Sequence, residues 1–133
     1  MSSNELNNAQ YAWVTGACML LNVSILKEIG EFDPRFFMYW EDADLSCRLK
    51  KAGYSIGVAN DAVVVHQAGT SSNENKLRRY EWHIHSQSLW IEKHFQPRIC
   101  GLAILYARNF IKSILDRNWD RFSLTLRCMC GKI

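Results

Sequence analysis

The sequence lacks several features that would assign the protein to a special class. It has no apolar run of the ~20 residues that a membrane-spanning helix needs, since the uncharged stretch 99–107 is far shorter. It has no internal repeat, and residues 1–10 are too polar for a secretory leader. Its five cysteines are an odd number without the spacing of a disulfide framework or of a CxxC metal-binding pair. These absences predict a cytoplasmic protein.

Composition is ordinary, but charge is unevenly distributed. The 133 residues are 48% hydrophobic and 22% charged, as in a folded domain, with a net charge of +3. Through Pro97 there are nine Lys and Arg against eleven Asp and Glu, and after it seven against two. The basic segment 98–133 either contacts an anionic surface such as a membrane or forms a solvated helix face. It lacks a nucleic-acid-binding motif, so no nucleic-acid partner is expected.

Capping residues and hydrophobic periodicity predict both strands and helices. Strands are predicted at 11–21, 54–59 and 62–67, and helices at 22–29, 41–52, 76–95 and 98–115. The last helix carries many apolar residues, with Arg108 and Lys112 on its polar side. This pattern is typical of an interfacial helix, and equally of a helix packed onto a domain.

Three acids, Glu41, Asp42 and Asp44, follow a run of five bulky apolar residues and open a predicted helix. Carboxylates in this position can cap the helix, hold a metal ion or act as a general base. Spacing alone does not choose between these roles. Asp44 and Arg48 lie four residues apart, so their side chains can form an ion pair across one helical turn.

Histidines offer one further candidate. His66 lies at the end of the β-branched strand predicted at 62–67, where an imidazole is either a structural residue or a metal ligand. His83 and His85 are two residues apart on a predicted helix, so they point to different faces and do not form the i, i+4 pair of a zinc-binding helix. We therefore interpret this pair as structural.

The segment from Gly16 to Ser72 resembles the second half of the catalytic domain of bacterial family 2 glycosyltransferases, especially rhamnosyltransferase-like members. The shared pattern runs from a Gly-Ala-x-Met-Leu strand through Phe-Asp-x-x-Phe-Phe and a Glu-Asp-x-Asp-Leu helix start to a strand that ends in His. The matching positions, in the family's order, are Gly16, Ala17, Met19, Leu20, Gly30, Phe32, Asp33, Phe36, Phe37, Glu41, Asp42, Asp44, Leu45, Arg48, Ala52, Gly53, Tyr54, His66 and Gly69.

The resemblance implies an α/β fold of the GT-A (Rossmann-like) type, of which this chain would hold a part. We expect a few-stranded sheet with flanking helices and a helical C-terminal extension. Residues 1–75 would form the acceptor-side part of the glycosyltransferase domain, and residues 76–133 the extension.

The resemblance also implies an inverting sugar transfer with Asp42 as the catalytic base. Its carboxylate would take the proton of the acceptor hydroxyl while that oxygen attacks the anomeric carbon from the side opposite the nucleotide. Glu41 and Trp40 are expected to contact or support the acceptor. Asp44 and Arg48 are expected to support the helix start.

A divalent metal is the cofactor that the resemblance implies for the complete enzyme. His66 matches a position that in some relatives helps to hold Mn²⁺ or Mg²⁺ on the departing diphosphate. Relatives supply further ligands from an Asp-x-Asp motif in a nucleotide-binding half. No such motif precedes Gly16, and the Asp-x-Asp at 42–44 belongs to the base motif. No cofactor is firmly expected for these 133 residues alone.

Together these expectations describe part of a glycosyltransferase of bacterial surface polysaccharide biosynthesis, with rhamnose as the expected sugar. Its partners would be a saccharide or lipid-linked saccharide acceptor, a nucleotide-sugar donor bound by the missing half, and the inner face of the cell membrane through 98–133. The chain alone is expected to be inactive and to self-associate. The alternative is a non-catalytic saccharide-binding or assembly module in which the acids only cap a helix.

Overall fold

Helices are the regular elements of the part of the chain that the structure describes. The computed structural model describes residues 13–66 and 76–131. Its helices are α1 (Val23–Ile29), α2 (Glu41–Lys51), α3 (Lys76–His94), α4 (Arg98–Leu115) and α5 (Trp119–Met129). The first four lie where the sequence predicts helices, whereas α5 was not predicted as a separate element.

The predicted GT-A, Rossmann-like α/β fold is wrong, because residues 13–66 and 76–131 contain no β-strand. The expected strands at 54–59 and 62–66 are irregular, and Val63 and Val65 are 91% and 88% exposed. A β-branched run becomes a strand only when a neighbouring strand completes its hydrogen bonds and packing covers one face. The local pattern carried no information about whether that neighbour exists.

The strand predicted at 11–21 is irregular from residue 13 onward, except for a turn near Gly16. Its first two residues, and residue 67 of the other predicted strand, lie outside the described residues. The apolar side chain of Leu20 is fully exposed, so apolar character here does not reflect burial within this chain.

Internal contacts divide the described chain into two units. The N-terminal unit consists of residues 13–36 and 40–66, and the helical unit consists of 37–39 and 76–131. The predicted domains, 1–75 and 76–133, stay a prediction. None of the helices in the described residues is long and apolar enough to cross a membrane.

In the N-terminal unit, α1 is defined by its two ends. The side chain of Asn22 accepts hydrogen bonds from the backbone amides of Ser24 (2.9 Å) and Ile25 (3.4 Å), as an N-cap does. The helix ends at Gly30, whose φ of 86° lies in the left-handed region that other residues avoid. Both ends were predicted from the sequence.

The second helix, α2, supplies most of the buried side chains of the N-terminal unit. The buried apolar residues of the unit are Phe36, Ala43, Leu45, Cys47 and Ile56. Acids occupy the first turn of α2 and basic residues its last turn, as predicted, so the charges complement the helix dipole at both ends.

In the helical unit, α3, α4 and α5 pack against one another. The buried apolar side chains at their centre are Ile84, Trp90, Ile91, Leu105 and Leu124. The hydroxyl of Tyr80 on α3 lies 3.2 Å from both Asn109 Oδ1 on α4 and Thr125 Oγ1 on α5. A polar contact therefore joins all three helices.

Candidate active site

The entry to α2 has a backbone conformation that is rare for bulky residues. Tyr39 and Trp40 have φ values of 68° and 67°, in the left-handed region, which costs of order 1–3 kcal/mol for each residue. On the helical-unit side, Ser86 Oγ donates to the Met38 carbonyl (2.8 Å) and the Tyr39 ring lies 5.6 Å from that of His83. These contacts hold Met38 and Tyr39 within the helical unit.

Asp42 is held by two backbone amides. Its Oδ2 accepts a hydrogen bond from the amide of Gly16 (2.9 Å), and its Oδ1 accepts one from the amide of Ala43 (2.8 Å). Because each carboxylate oxygen has two lone pairs, each retains one for another donor. The bond to Ala43 satisfies an unpaired amide of the first helical turn, and the Asp42 carboxylate can still accept a proton.

Glu41 lies at the same backbone corner. Its Oε2 is buried and has no hydrogen-bond partner among the described residues. Burial raises the pKa of the Glu41 carboxyl above its ordinary value, and the neighbouring charge of Asp42 raises the pKa further. A Cβ atom built on Gly16 would lie 4.0 Å from Glu41 Oε1 and 3.5 Å from Asp42 Cβ. We call Gly16, Glu41 and Asp42 the acidic corner.

Asp44 and Arg48 form the predicted ion pair, with Arg48 Nε 2.8 Å from Asp44 Oδ2. Asp44 is fully buried, which leaves it no room to contact a substrate. The guanidinium of Arg48 also donates to the carbonyls of Ile29 (3.1 Å), Gly30 (2.6 Å) and Glu31 (2.6 Å). These bonds satisfy carbonyls at the end of α1 and tie α1 to α2.

Trp40 packs against Trp13, with ring centroids 5.9 Å apart and planes inclined by 33°. The segment that carries Trp13 runs beside α2, because the amide of Val14 donates to Ser46 Oγ (3.4 Å). The aromatic pair therefore lies on the two segments that also form the acidic corner. Aromatic rings offer a large apolar surface on which the carbon face of a sugar can pack.

His66 is exposed and, within residues 13–66, makes no hydrogen bond or ion pair to the acidic corner. No group of three or more His, Cys, Asp or Glu side chains in the described residues could hold a metal ion. His66 can supply one ligand at most, so these residues by themselves do not form a metal site. Its role as a ligand stays a prediction.

Two members of the site were missed by sequence reasoning. Gly16 was recognised only as part of a motif, although its amide holds Asp42 from 26 residues away. Trp13, the partner of Trp40, was not singled out. Trp13 lies only three residues before Gly16, so it could have been included with the motif that begins at Gly16.

A family model and individual relatives both match this chain, and both are glycosyltransferases. The family model described as "Glycosyl transferase family group 2" matches residues 1–128. An N-acetylglucosaminyl-diphospho-decaprenol L-rhamnosyltransferase of Mycobacterium tuberculosis is 41% identical over 71 residues, which are 53% of this chain and 23% of that protein. The rhamnosyltransferase WbbL of Escherichia coli K12 is 31% identical over 111 residues, which are 84% of this chain and 36% of that protein.

These matches confirm the resemblance to rhamnosyltransferase-like family 2 glycosyltransferases that the motif of Gly16 to Ser72 indicated. The chain spans about a quarter to a third of the length of the curated relatives that it matches. No solved structure matches the chain.

Proposed function

Because the chain belongs to glycosyl transferase family group 2, we propose that it forms part of an enzyme that transfers a sugar from a nucleotide-sugar donor to a saccharide acceptor with inversion. The acidic corner is the observation that supports this proposal most directly. A half-buried carboxylate is oriented by two backbone amides and keeps free lone pairs, which is the arrangement that a catalytic base needs.

Asp42 acts as that base. As the acceptor oxygen bonds to the anomeric carbon, its proton passes to Asp42, and the bond from the anomeric carbon to the diphosphate oxygen breaks on the opposite side. The nucleoside diphosphate leaves with the bonding electrons. A positioned base of this kind typically contributes about 10²–10⁴ in rate.

Glu41 and Trp40 form the acceptor-facing surface next to the base, with Trp13 as an added member. Burial raises the pKa of Glu41, and its buried Oε2 can accept a hydrogen bond from an acceptor hydroxyl. Asp44 and Arg48 act through α2, because their pair fixes the helix that carries the base.

The donor and the acceptor follow from the names of the relatives. We propose rhamnose as the sugar, and a lipid-linked saccharide as the acceptor, because one relative is named for a diphospho-decaprenol acceptor. The process would be surface polysaccharide biosynthesis. The enzyme would work on the cytoplasmic side, peripherally on the inner face of the cell membrane, and this chain would self-associate.

The donor would be bound by a part of the enzyme outside the described residues. A divalent metal, Mn²⁺ or Mg²⁺, would be held there with His66 as one ligand, since the described residues do not form a metal site alone. The chain by itself is therefore expected to be inactive.

A second function is favoured by one observation. The two amide bonds to Asp42 are also the bonds that a carboxylate with only a structural role would make at a helix start. A non-catalytic saccharide-binding or assembly module would use the same corner and the Trp13–Trp40 pair without transfer.

Turnover by the complete enzyme that contains this chain distinguishes the two. We expect Asp42→Asn to lower kcat by about 10²–10⁴ while the circular dichroism spectrum is unchanged. Asp61→Asn, which removes an exposed carboxylate of the same unit, serves as the matched control and should keep full activity. Full turnover by a correctly folded Asp42→Asn enzyme would rule out this base.

A further inference from the structure

The outward face of α4 carries more large apolar side chains than the exposed face of a helix in a globular protein normally does. The residues buried against the rest of the helical unit follow a spacing of four: Gly101, Leu105, Asn109 and Ser113. The outward residues are mainly apolar: Ile104, Ala107, Ile111, Ile114 and Leu115. A surface helix normally buries its large apolar side chains and exposes its polar ones.

The inward face of α4 packs closely against the rest of the helical unit. A Cβ atom on Gly101 would lie 2.7 Å from Ile91 Cγ2, so α4 approaches the end of α3 more closely than any other residue would allow. The Asn109 amide donates to the Leu105 carbonyl (2.8 Å), and Ser113 Oγ donates to the Asn109 carbonyl (2.8 Å). The isoleucines of α4 are therefore not needed for the core of this unit.

The outward face is a continuous apolar surface on one helix. Ile104, Ile111 and Leu115 are 66%, 59% and 77% exposed, and they line one shallow groove with Ala107. Single exposed apolar residues are common, but a contiguous exposed patch marks an interaction surface. Leu105 is buried and Leu102, Tyr106 and Phe110 are half-buried, so α4 has apolar side chains on its inward side as well. A helix that is apolar on both sides normally has apolar surroundings.

Positive charge borders this face. Arg108 and Lys112 are exposed and line the same groove, and Asp116 lies at its end. Beyond Asp116, Arg117 and the exposed ring of Trp119 follow in the chain. Tryptophan and basic residues at the border of an apolar face are typical of helices that lie at a membrane–water interface.

We propose that the outward face of α4 docks on the surface of an anionic phospholipid bilayer. The helix lies in the plane of the interface, with Ile104, Ile111 and Leu115 among the upper acyl chains and with Arg108 and Lys112 on the lipid phosphates. This inference specifies the peripheral location proposed above. Its test does not involve sugar transfer, so its failure leaves the transferase proposal intact.

Charge argues for lipid over a second copy of the chain. If two copies paired through this face, the cations Arg108 and Lys112 of both copies would share the interface with only the two Asp116 carboxylates, and the excess of positive charge would be unfavourable. An anionic bilayer supplies the opposite charge over the whole face and an apolar layer beneath it.

Co-sedimentation of the 133-residue chain with vesicles tests the proposal. We expect binding to phosphatidylglycerol–phosphatidylcholine vesicles and weak binding to phosphatidylcholine alone. Ile111→Glu should lower the partition coefficient on the order of tenfold or more, because it removes an inserted side chain and adds a negative charge. Val63→Glu, which removes a similarly exposed apolar residue of the other unit, is the matched control and should bind as the parent does.

A second variant separates charge from apolar insertion. Arg108→Gln with Lys112→Gln should lower binding to anionic vesicles on the order of tenfold at low salt and should reduce its salt dependence. Ile104→Ser replaces Ile111→Glu if circular dichroism shows that the latter fails to fold.

Two results would overturn the proposal. One is that the parent chain does not bind vesicles, or that it binds them and none of the α4 variants changes the binding. The other is a parent chain that does not bind vesicles but forms a dimer in analytical ultracentrifugation, which Ile111→Glu dissociates. The outward face of α4 would then be an interface between two copies of the chain.

Discussion

In the N-terminal unit one arginine side chain joins two helices through four hydrogen bonds, whereas in the helical unit three helices are joined by a packed apolar core. The N-terminal unit leaves Val63 and Val65 almost fully exposed, and its helices are short. The helical unit exposes apolar residues as well, but on the outside of a helix whose inner face is closely packed. The residues proposed for chemistry therefore lie in the unit that depends more on buried charge than on packing.

Removal of Arg48 should produce the largest effect if that contrast is correct. In Arg48→Ala the fully buried carboxylate of Asp44 loses this ion pair, and three carbonyls near the end of α1 lose the hydrogen bonds that Arg48 donates. Breaking a buried ion pair from one side typically costs about 3–5 kcal/mol. Chemical denaturation gives the change in the free energy of unfolding, and hydrogen exchange of the α2 amides localises it.

Arg35→Ala is the matched control for this prediction. Arg35 pairs with Asp33 in the same unit, but its side chain is 60% exposed, so its loss should cost no more than about 1 kcal/mol. Equal effects of the two substitutions would mean that water reaches Asp44 and that the N-terminal unit does not depend on this pair.

Gly101→Ala tests the packed side of the comparison and should have an intermediate effect. The added Cβ would lie 2.7 Å from Ile91 and 2.8 Å from the Phe95 ring, so α3 and α4 must separate. Overpacking costs about 1–3 kcal/mol, and the higher helix propensity of alanine returns up to about 1 kcal/mol. We expect a net loss of about 1–2 kcal/mol in the free energy of unfolding, measured by denaturation.

The same substitution in the other unit provides the control. A Cβ on Gly16 would meet Asp42 Cβ at 3.5 Å, which is an ordinary contact, so Gly16→Ala should change stability by less than about 0.5 kcal/mol. If Gly101→Ala left the free energy of unfolding unchanged, the helices of the helical unit would be able to separate at little cost. Close packing would then not distinguish this unit from the N-terminal unit.

Local signals explain which parts of this structure could be predicted from the sequence. The cap at Asn22, the left-handed Gly30, the acids of α2 and Pro97 set helix ends through contacts within a few residues, and those helices were confirmed. A strand needs a partner from elsewhere in the chain, so the same local reasoning gave strands where the described residues have none.

The candidate site divides in the same way. The pairing of Asp44 with Arg48 spans one helical turn and was confirmed. The amide of Gly16 reaches Asp42 across 26 residues, and no periodicity reports such a contact. In α4 the apolar pattern predicted a helix, but it did not show that the isoleucines face outward, because that depends on what packs against each side.

Glu41→Gln should have the smallest effect and would sharpen the comparison at the acidic corner itself. Burial raises the pKa of Glu41 above its ordinary value of 4.5, so the folded state holds this proton more tightly than the unfolded state does. The stability linked to this group is therefore present below the ordinary value and is lost as the pH rises through the raised folded value. Above that range, Glu41→Gln should be more stable than the parent chain.

The measurement is the free energy of unfolding as a function of pH, from pH 4 to pH 8, for the parent chain and for two variants. Glu41→Gln should remove the decrease with rising pH, whereas Glu31→Gln should keep it because Glu41 is still present. Burial lowers the pKa of His83, which gives the parent curve an opposite slope in the same interval, so the Glu41→Gln and parent curves are compared by their difference. A difference that does not grow with rising pH would mean that solvent reaches Glu41 Oε2. Glu41 would then contact a substrate as an ordinary surface glutamate does, and the proposed function of the acidic corner would depend on Asp42 alone.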